Sequence, residues 1–173
     1  SRPQSRRCLI CGGPVTVCSR SRAHGLAAIQ AKTEDILRSF AAGHLAQLAR
    51  QALEDEVCLT PKPGLVDRRN TGAHDDMDLP LFRRSAAALE PYFCRFVSLG
   101  MAGASPAELQ ALGREAEHAM LTATGGVNTH KGALYSFALL LSALGRSLTE
   151  GGDPFHTAAA IAGALPPASG THG

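Results

Sequence analysis

Apolar residues recur at spacings of three and four through most of the chain, and no segment shows a convincing alternation of apolar and polar positions. Leu26, Ile29, Thr33, Ile36, Leu37 and Phe40 share one helical face. Leu45, Leu48, Ala49, Ala52, Leu53 and Val57 form a second stripe, on a helix that ends before Pro61. Glu56 falls on that stripe, about 20° from Leu45 at roughly 100° per residue. A carboxylate on a core face is costly unless paired or bound, which makes Glu56 a site candidate. Phe82, Leu89, Phe93 and Phe96 make a third stripe, with Pro91 kinking or dividing the segment. Ser105, Pro106 and Glu108 fit a capping box that opens a helix through Met120. The apolar face of this helix is Leu109, Leu112, Ala116 and Met120, and Glu117 borders it. From Lys131 the run GALYSFALLLSALG is apolar almost all round. The expected fold is therefore all-α, a helical bundle around a buried central helix at about 128–145. An irregular cysteine-rich segment precedes it.

Three zones follow. Residues 1–24 are basic and cysteine-rich, with Gly12, Gly13 and Pro14 breaking any helix; residues 25–165 read as helical. The tail 166–173, PPASGTHG, has no periodicity and is expected to be disordered or a truncation scar. The first residue is Ser1 rather than Met, which suggests a cut end. A length of 173 residues suits one ordinary domain, or a domain with an appendage. A net charge of +2 gives nucleic-acid binding no electrostatic support. No apolar run is long enough for a membrane span. Five cysteines, three of them in the first eighteen residues, argue against a disulfide framework and for a reduced, cytoplasmic setting.

Two polar, glycine-bearing stretches stand out, EVCLTPKPGLVDRRNTGAHDDMD at 56–78 and TATGGVNTHKG at 122–132. Cations, carboxylates and backbone-fixing residues together suit a highly charged ligand. The motifs LTPKPGLVDRRNTGAHDDMD, LEPYF and AEHAMLTATGGVNTHKGALYSFALLLSALG, in that order, resemble the triphosphoribosyl-dephospho-CoA synthase family over roughly residues 45–145. The opening RRCLICGGPVTVCSRSRAH resembles the C-terminal end of the apo-citrate lyase phosphoribosyl-dephospho-CoA transferase, so the chain looks like a junction piece of a fused bifunctional protein. The resemblance implies a reaction of ATP with dephospho-CoA that releases adenine. Its product is the prosthetic-group precursor of citrate lyase or, in relatives, of malonate decarboxylase, with an indirect link to the lyase acyl carrier subunit.

Breaking the adenine–ribose bond develops positive charge on the sugar, while the triphosphate needs cations and magnesium. Asp76 and Asp78, two apart beside His74, are candidates for Mg2+ or ribose binding; a solvated loop, or an N-cap role for Asp78, is the alternative. Lys62, between two prolines, is either a phosphate contact or a surface lysine. Asp67 and Asn70 are ligand contacts or turn formers, and Arg68 is the better phosphate candidate of its arginine pair. Gly125 and Gly126 permit close backbone approach, and Asn128 or Thr129 can cap a helix whose amides, with Lys131, would face an anion. A plain capped helix start with an incidental lysine explains the same residues. His130 is a candidate acid or a hydrogen-bonded neighbour. Glu56 and Glu117 can support the sugar cation or orient the attacking hydroxyl; burial beside an arginine is the other reading.

Cys8, Cys11, Cys18 and His24 supply enough ligands for a tetrahedral zinc site, although free cysteines at a severed domain edge explain them equally well. Family relatives continue with further helices beyond the equivalent of Gly145. Leu139, Leu140, Leu141 and Leu144 are therefore expected to lack a partner, favouring self-association, and turnover by this chain alone is not expected. Two other classes fit the composition: a non-catalytic nucleotide- or CoA-binding remnant, and another all-α nucleotide-using transferase or hydrolase.

Overall fold

The computed structural model describes residues 6–73 and 75–165. The expectations for His74 and for the tail 166–173 lie outside the described residues. Among those residues there are six helices: α1 (Val15–Ser21), α2 (Leu26–Cys58), α3 (Leu79–Met101), α4 (Pro106–Ala123), α5 (Lys131–Glu150) and α6 (Pro154–Ala164). The only pairing of extended backbone among them is an isolated bridge between Arg7 and Pro14. The all-α expectation holds. The chain divides into two compact units, Ser1–Ala41 and Ala42–Gly173.

In the first unit a tight loop is closed by Cys8 N donating to Gly13 O at 2.7 Å and Gly12 N to Cys8 O at 2.9 Å. Gly12 turns the chain at φ 72°, a region that favours glycine. Pro14 then opens α1, a short helix in the segment expected to be irregular. No described residue of this unit is buried. The apolar face Leu26–Phe40 is open, with Leu26 70 % and Phe40 68 % exposed. Some forty residues cannot bury one side of a helix this long.

In the second unit, α2 buries Ala42, Ala46, Ala49, Leu53 and Val57. This stripe is rotated from the expected one: Leu48 and Ala52 are exposed, and so is Glu56, which corrects its placement on a core face. Alanines at the contact let backbones approach closely, so the small residues rather than Leu48 mark the buried face. Arg50 bonds Glu54 and reaches across to Glu90 of α3, each at 2.8 Å. Helix α3 starts on an Asp78 cap and passes through Pro91 without dividing; it buries Leu81, Leu89, Phe93, Phe96 and Val97. The Ser105–Glu108 capping box opens α4 as expected, and the helix runs on to Ala123.

Helix α5 packs against α3, α4 and α6, which gives it the central place expected for this stretch. It is not buried all round, since Tyr135 and Leu148 are exposed. Leu141 is buried and Leu139, Leu140 and Leu144 are partly buried, so the leucines expected to lack a partner have one. Helix α6, capped by Asp153, packs on α5 and buries Ala158 and Ile161.

Helices α3 and α5 run parallel: Ser85 meets His130 near their starts, and Gly100 meets Ser142 toward the other end. A Cβ on Gly100 would lie 2.0 Å from Ser142 O, and one on Gly145 would lie 2.1 Å from Val97 O. Each helix therefore presents a glycine to the other's backbone. This close crossing fixes the register that brings the starts of α3 and α5 together.

Candidate functional site

The loop from Leu59 to Asp78 is organised by Asp67. Its carboxylate is buried and accepts four hydrogen bonds: Oδ2 from the Thr60 hydroxyl and from Lys62 N at 3.2 Å, and Oδ1 from Arg69 N at 2.7 Å and Asn70 N at 3.0 Å. The Thr60 hydroxyl, then the Arg69 amide, hold the carboxyl well below the usual carboxylate range. Asn70 Oδ1 in turn accepts from Gly72 N at 2.8 Å. Gly72 has φ 63°, and a Cβ there would meet Gly64 backbone at 2.6 Å, so the loop closes on itself only with glycine. Asp67 thus forms the turn: both its oxygens accept from the loop.

That fold presents Lys62 to the end of α2. Its Nζ lies 2.6 Å from Glu56 Oε1 and donates to Glu56 O at 3.2 Å. Arg68 is exposed, as are Asp76 and Asp78. Asp78 Oδ1 accepts from Leu81 N at 2.7 Å, so one oxygen caps α3 and the other is left for solvent or ligand.

The second loop follows α4. Gly125 and Gly126 both have positive φ, and the Thr124 hydroxyl bonds Met120 O and Val127 O. His130 is the N-cap residue of α5, and Asn128 Oδ1 accepts from the first helical amide, Lys131 N, at 3.2 Å. Thr129 points elsewhere: its hydroxyl donates to Ser85 Oγ at 2.6 Å. Lys131 Nζ pairs with Glu117 Oε1 at 2.9 Å.

His130 is 6 % exposed. Its Nδ1 lies 2.8 Å from Ser85 Oγ, and its ring meets Phe82 edge-on at 5.0 Å. Burial brings its pKa down to about 4, against a smaller opposing pull from the Glu56 carboxylate. At neutral pH the ring is uncharged. Thr129 donates to Ser85 Oγ, which shares a hydrogen bond with His130 Nδ1, and the ring's other nitrogen, Nε2, is buried without a hydrogen-bond partner. Phe82 and Ser85 bring the first turns of α3 against His130 at the start of α5.

Ser85 is the residue that sequence reasoning missed. It sits three after Phe82 and four before Leu89, a hydroxyl on an otherwise apolar stripe, and that position was the available signal.

In the first unit the ligand atoms of Cys8, Cys11, Cys18 and His24 all lie within 4.8 Å of one another. Backbone amides of Cys11 and Ile10 bond the Cys8 sulfur and bring its thiol down to about 6. Among the described residues this is the only group of three or more potential metal ligands.

Two family profiles match successive stretches of the chain. Residues 2–40 match apo-citrate lyase phosphoribosyl-dephospho-CoA transferase, and residues 42–165 match ATP:dephospho-CoA triphosphoribosyl transferase. The changeover coincides with the boundary between the two compact units. Protein CitXG of Haemophilus influenzae is 41 % identical over 152 residues, 84 % of this chain and 33 % of that protein. The 2-(5''-triphosphoribosyl)-3'-dephosphocoenzyme-A synthase of Haemophilus ducreyi is 41 % identical over 148 residues, 82 % of this chain and 46 % of the relative. A probable synthase 1 of the same name from Salmonella typhimurium is 50 % identical over 119 residues, covering 65 % of this chain and 39 % of the relative. The chain thus spans between a third and a half of the length of these relatives. No solved structure matches. No helix among the described residues is long and apolar enough to cross a membrane. The match over residues 42–165 places the chain in the ATP:dephospho-CoA triphosphoribosyl transferase family.

Proposed function

We propose that the second unit binds the triphosphate and ribose of ATP for transfer to dephospho-CoA, the reaction in the description of its family, ATP:dephospho-CoA triphosphoribosyl transferase. The observation that carries the reading is a buried, neutral His130 at the start of α5, hydrogen-bonded to Ser85 of α3 and followed directly by Lys131, while Lys62 is held at the end of α2 by Glu56. Helix starts carry partial positive charge, and two adjacent ones suit a polyanion. Each lysine is already held by a carboxylate, Glu56 or Glu117, so the cations are positioned before ligand arrives.

The transfer breaks the bond between adenine N9 and ribose C1′ and joins C1′ to a hydroxyl oxygen of dephospho-CoA. The hydroxyl proton ends on the departing adenine. In this reading Glu56 and Glu117, besides holding the lysines, oppose the positive charge that grows on the sugar. His130 Nε2 offers a hydrogen bond from a neutral ring, with Ser85 and Thr129 fixing its orientation. Asp76 and the free oxygen of Asp78 form a hard-oxygen donor set that fits magnesium, which takes one or two carboxylates plus phosphate oxygens. Bound there, the ion would neutralise triphosphate charge. The five free cysteines suit a reducing, cytoplasmic setting.

Calorimetric titration with MgATP tests the reading. Lys62→Ala and Lys131→Ala should each weaken ATP by roughly tenfold or more while leaving adenosine nearly unchanged, since charge-assisted contacts go only to phosphate. Equal losses for both ligands would mean fold damage instead. Adenine release with dephospho-CoA present identifies the transfer; phosphate release in its place would assign a hydrolase, and absence of nucleotide binding would overturn the reading.

Asp76→Asn and Asp78→Asn should remove the magnesium dependence of ATP affinity. Asparagine caps helices as well as aspartate does, so the second variant separates metal binding from capping of α3. ATP affinity that stays magnesium-dependent in both variants would exclude the pair.

A further inference from the structure

We propose that Cys8, Cys11, Cys18 and His24 hold a structural zinc ion that folds the first unit, independently of the nucleotide chemistry. Three separate pieces of chain supply the ligands: the loop gives Cys8 and Cys11, α1 gives Cys18, and the turn before α2 gives His24. Their ligand atoms lie within 4.8 Å of one another, and the Cys11 and Cys18 sulfurs are 3.5 Å apart. Ligands on a tetrahedral zinc are roughly 3.5–3.8 Å apart, so a small contraction seats the ion. The loop geometry serves this end. Cys8 N bonds Gly13 O, and Gly12 in the left-handed region folds Cys11 back beside Cys8.

Two further observations point to a ligand. His24 Nε2 is buried and has no hydrogen-bond partner, an expensive state for a ring nitrogen that metal binding would relieve. The first unit also contains no buried residue among those described, so no apolar core accounts for its loop and short helix. Segments of this size without a core are usually held by disulfides or metal, and all five cysteines are free. Three thiolates and one imidazole form a soft, closed set that selects zinc and leaves no position open for substrate.

The test uses the whole 173-residue chain, purified under reducing conditions and incubated with zinc chloride. About one zinc per chain should survive gel filtration, as a closed site predicts. Cobalt in its place should give the visible absorption of a tetrahedral thiolate site. Cys11→Ser should weaken zinc roughly 100-fold. Cys58→Ser and Cys94→Ser should leave zinc binding unchanged. Because Cys11→Ser can disturb the unit, trypsin cleavage at Arg20 and Arg22 in the unmodified chain gives a second readout: it should accelerate when zinc is chelated and slow when zinc is restored. Folded chain with five titratable thiols and no retained zinc would overturn the proposal. Zinc held equally well by Cys11→Ser, or cleavage indifferent to zinc, would do the same.

Discussion

Alanine at Gly100 should destabilise the second unit by about 3 kcal/mol, near the upper end of overpacking costs. Alanine at Gly113 should instead stabilise it by about 0.5–1 kcal/mol. Both glycines are helical, and the sign is set by what the new methyl meets. At Gly100 it would lie 2.0 Å from Ser142 O and 2.8 Å from Ser142 C, both backbone atoms of α5. A backbone held in a helix cannot step aside as a flexible side chain can, so α3 and α5 must separate. Separation loosens the packing of Phe93, Phe96 and Leu141 across the same interface. Gly145→Ala should behave similarly, since its Cβ would lie 2.1 Å from Val97 O. At Gly113 nothing lies within 4 Å, and only the backbone-entropy gain of alanine remains. Urea midpoints of the three variants decide the matter, and a Gly100→Ala midpoint equal to that of Gly113→Ala would refute the close crossing.

Acidification from pH 7 should destabilise the same unit through His130. Its pKa lies at about 4 in the folded chain, below the ordinary 6.5, because burial disfavours the charged ring. The unfolded chain therefore binds more protons between those values, and stability rises with pH across the window. The contribution is complete above 6.5 and disappears as pH falls toward 4, by up to about 3 kcal/mol. His130→Gln keeps a polar side chain beside Ser85 but does not titrate. Its stability should be flat between pH 6.5 and 5, where most carboxylates have not begun to protonate. Parallel pH profiles for the two proteins would remove His130 as the cause.

How much of this was legible in the sequence depends on the range of the interactions involved. The Ser105–Glu108 box and the glycine turns are local, so three or four residues specify them. Asp153-Pro154 repeats the Ser105-Pro106 signal and could have marked α6 in the same way. The phase of α2 was only partly right: Ala49, Leu53 and Val57 are buried as expected, but Ala42 and Ala46 rather than Leu48 and Ala52 complete the face. Glu56 was placed on a core face, whereas it is exposed and paired with Lys62. Ser85 and His130 meet across forty-five positions of chain, a distance that periodicity cannot see. Asp67 was read as either ligand or turn former, and the four donors that show its turn role come from residues up to seven positions away, a geometry that spacing alone does not give.

Side-by-side helices of the same direction set like poles against each other, an arrangement that antiparallel neighbours avoid. The Ser85–His130 contact holds the two starts side by side, so this repulsion acts between them. An anion lodged between the two positive poles would quench it, so ligand affinity and cohesion of the bundle draw on one electrostatic source. Nucleotide should then raise the melting temperature by more than its direct contacts supply. The ligand-free helix starts would be the first part of the bundle to open.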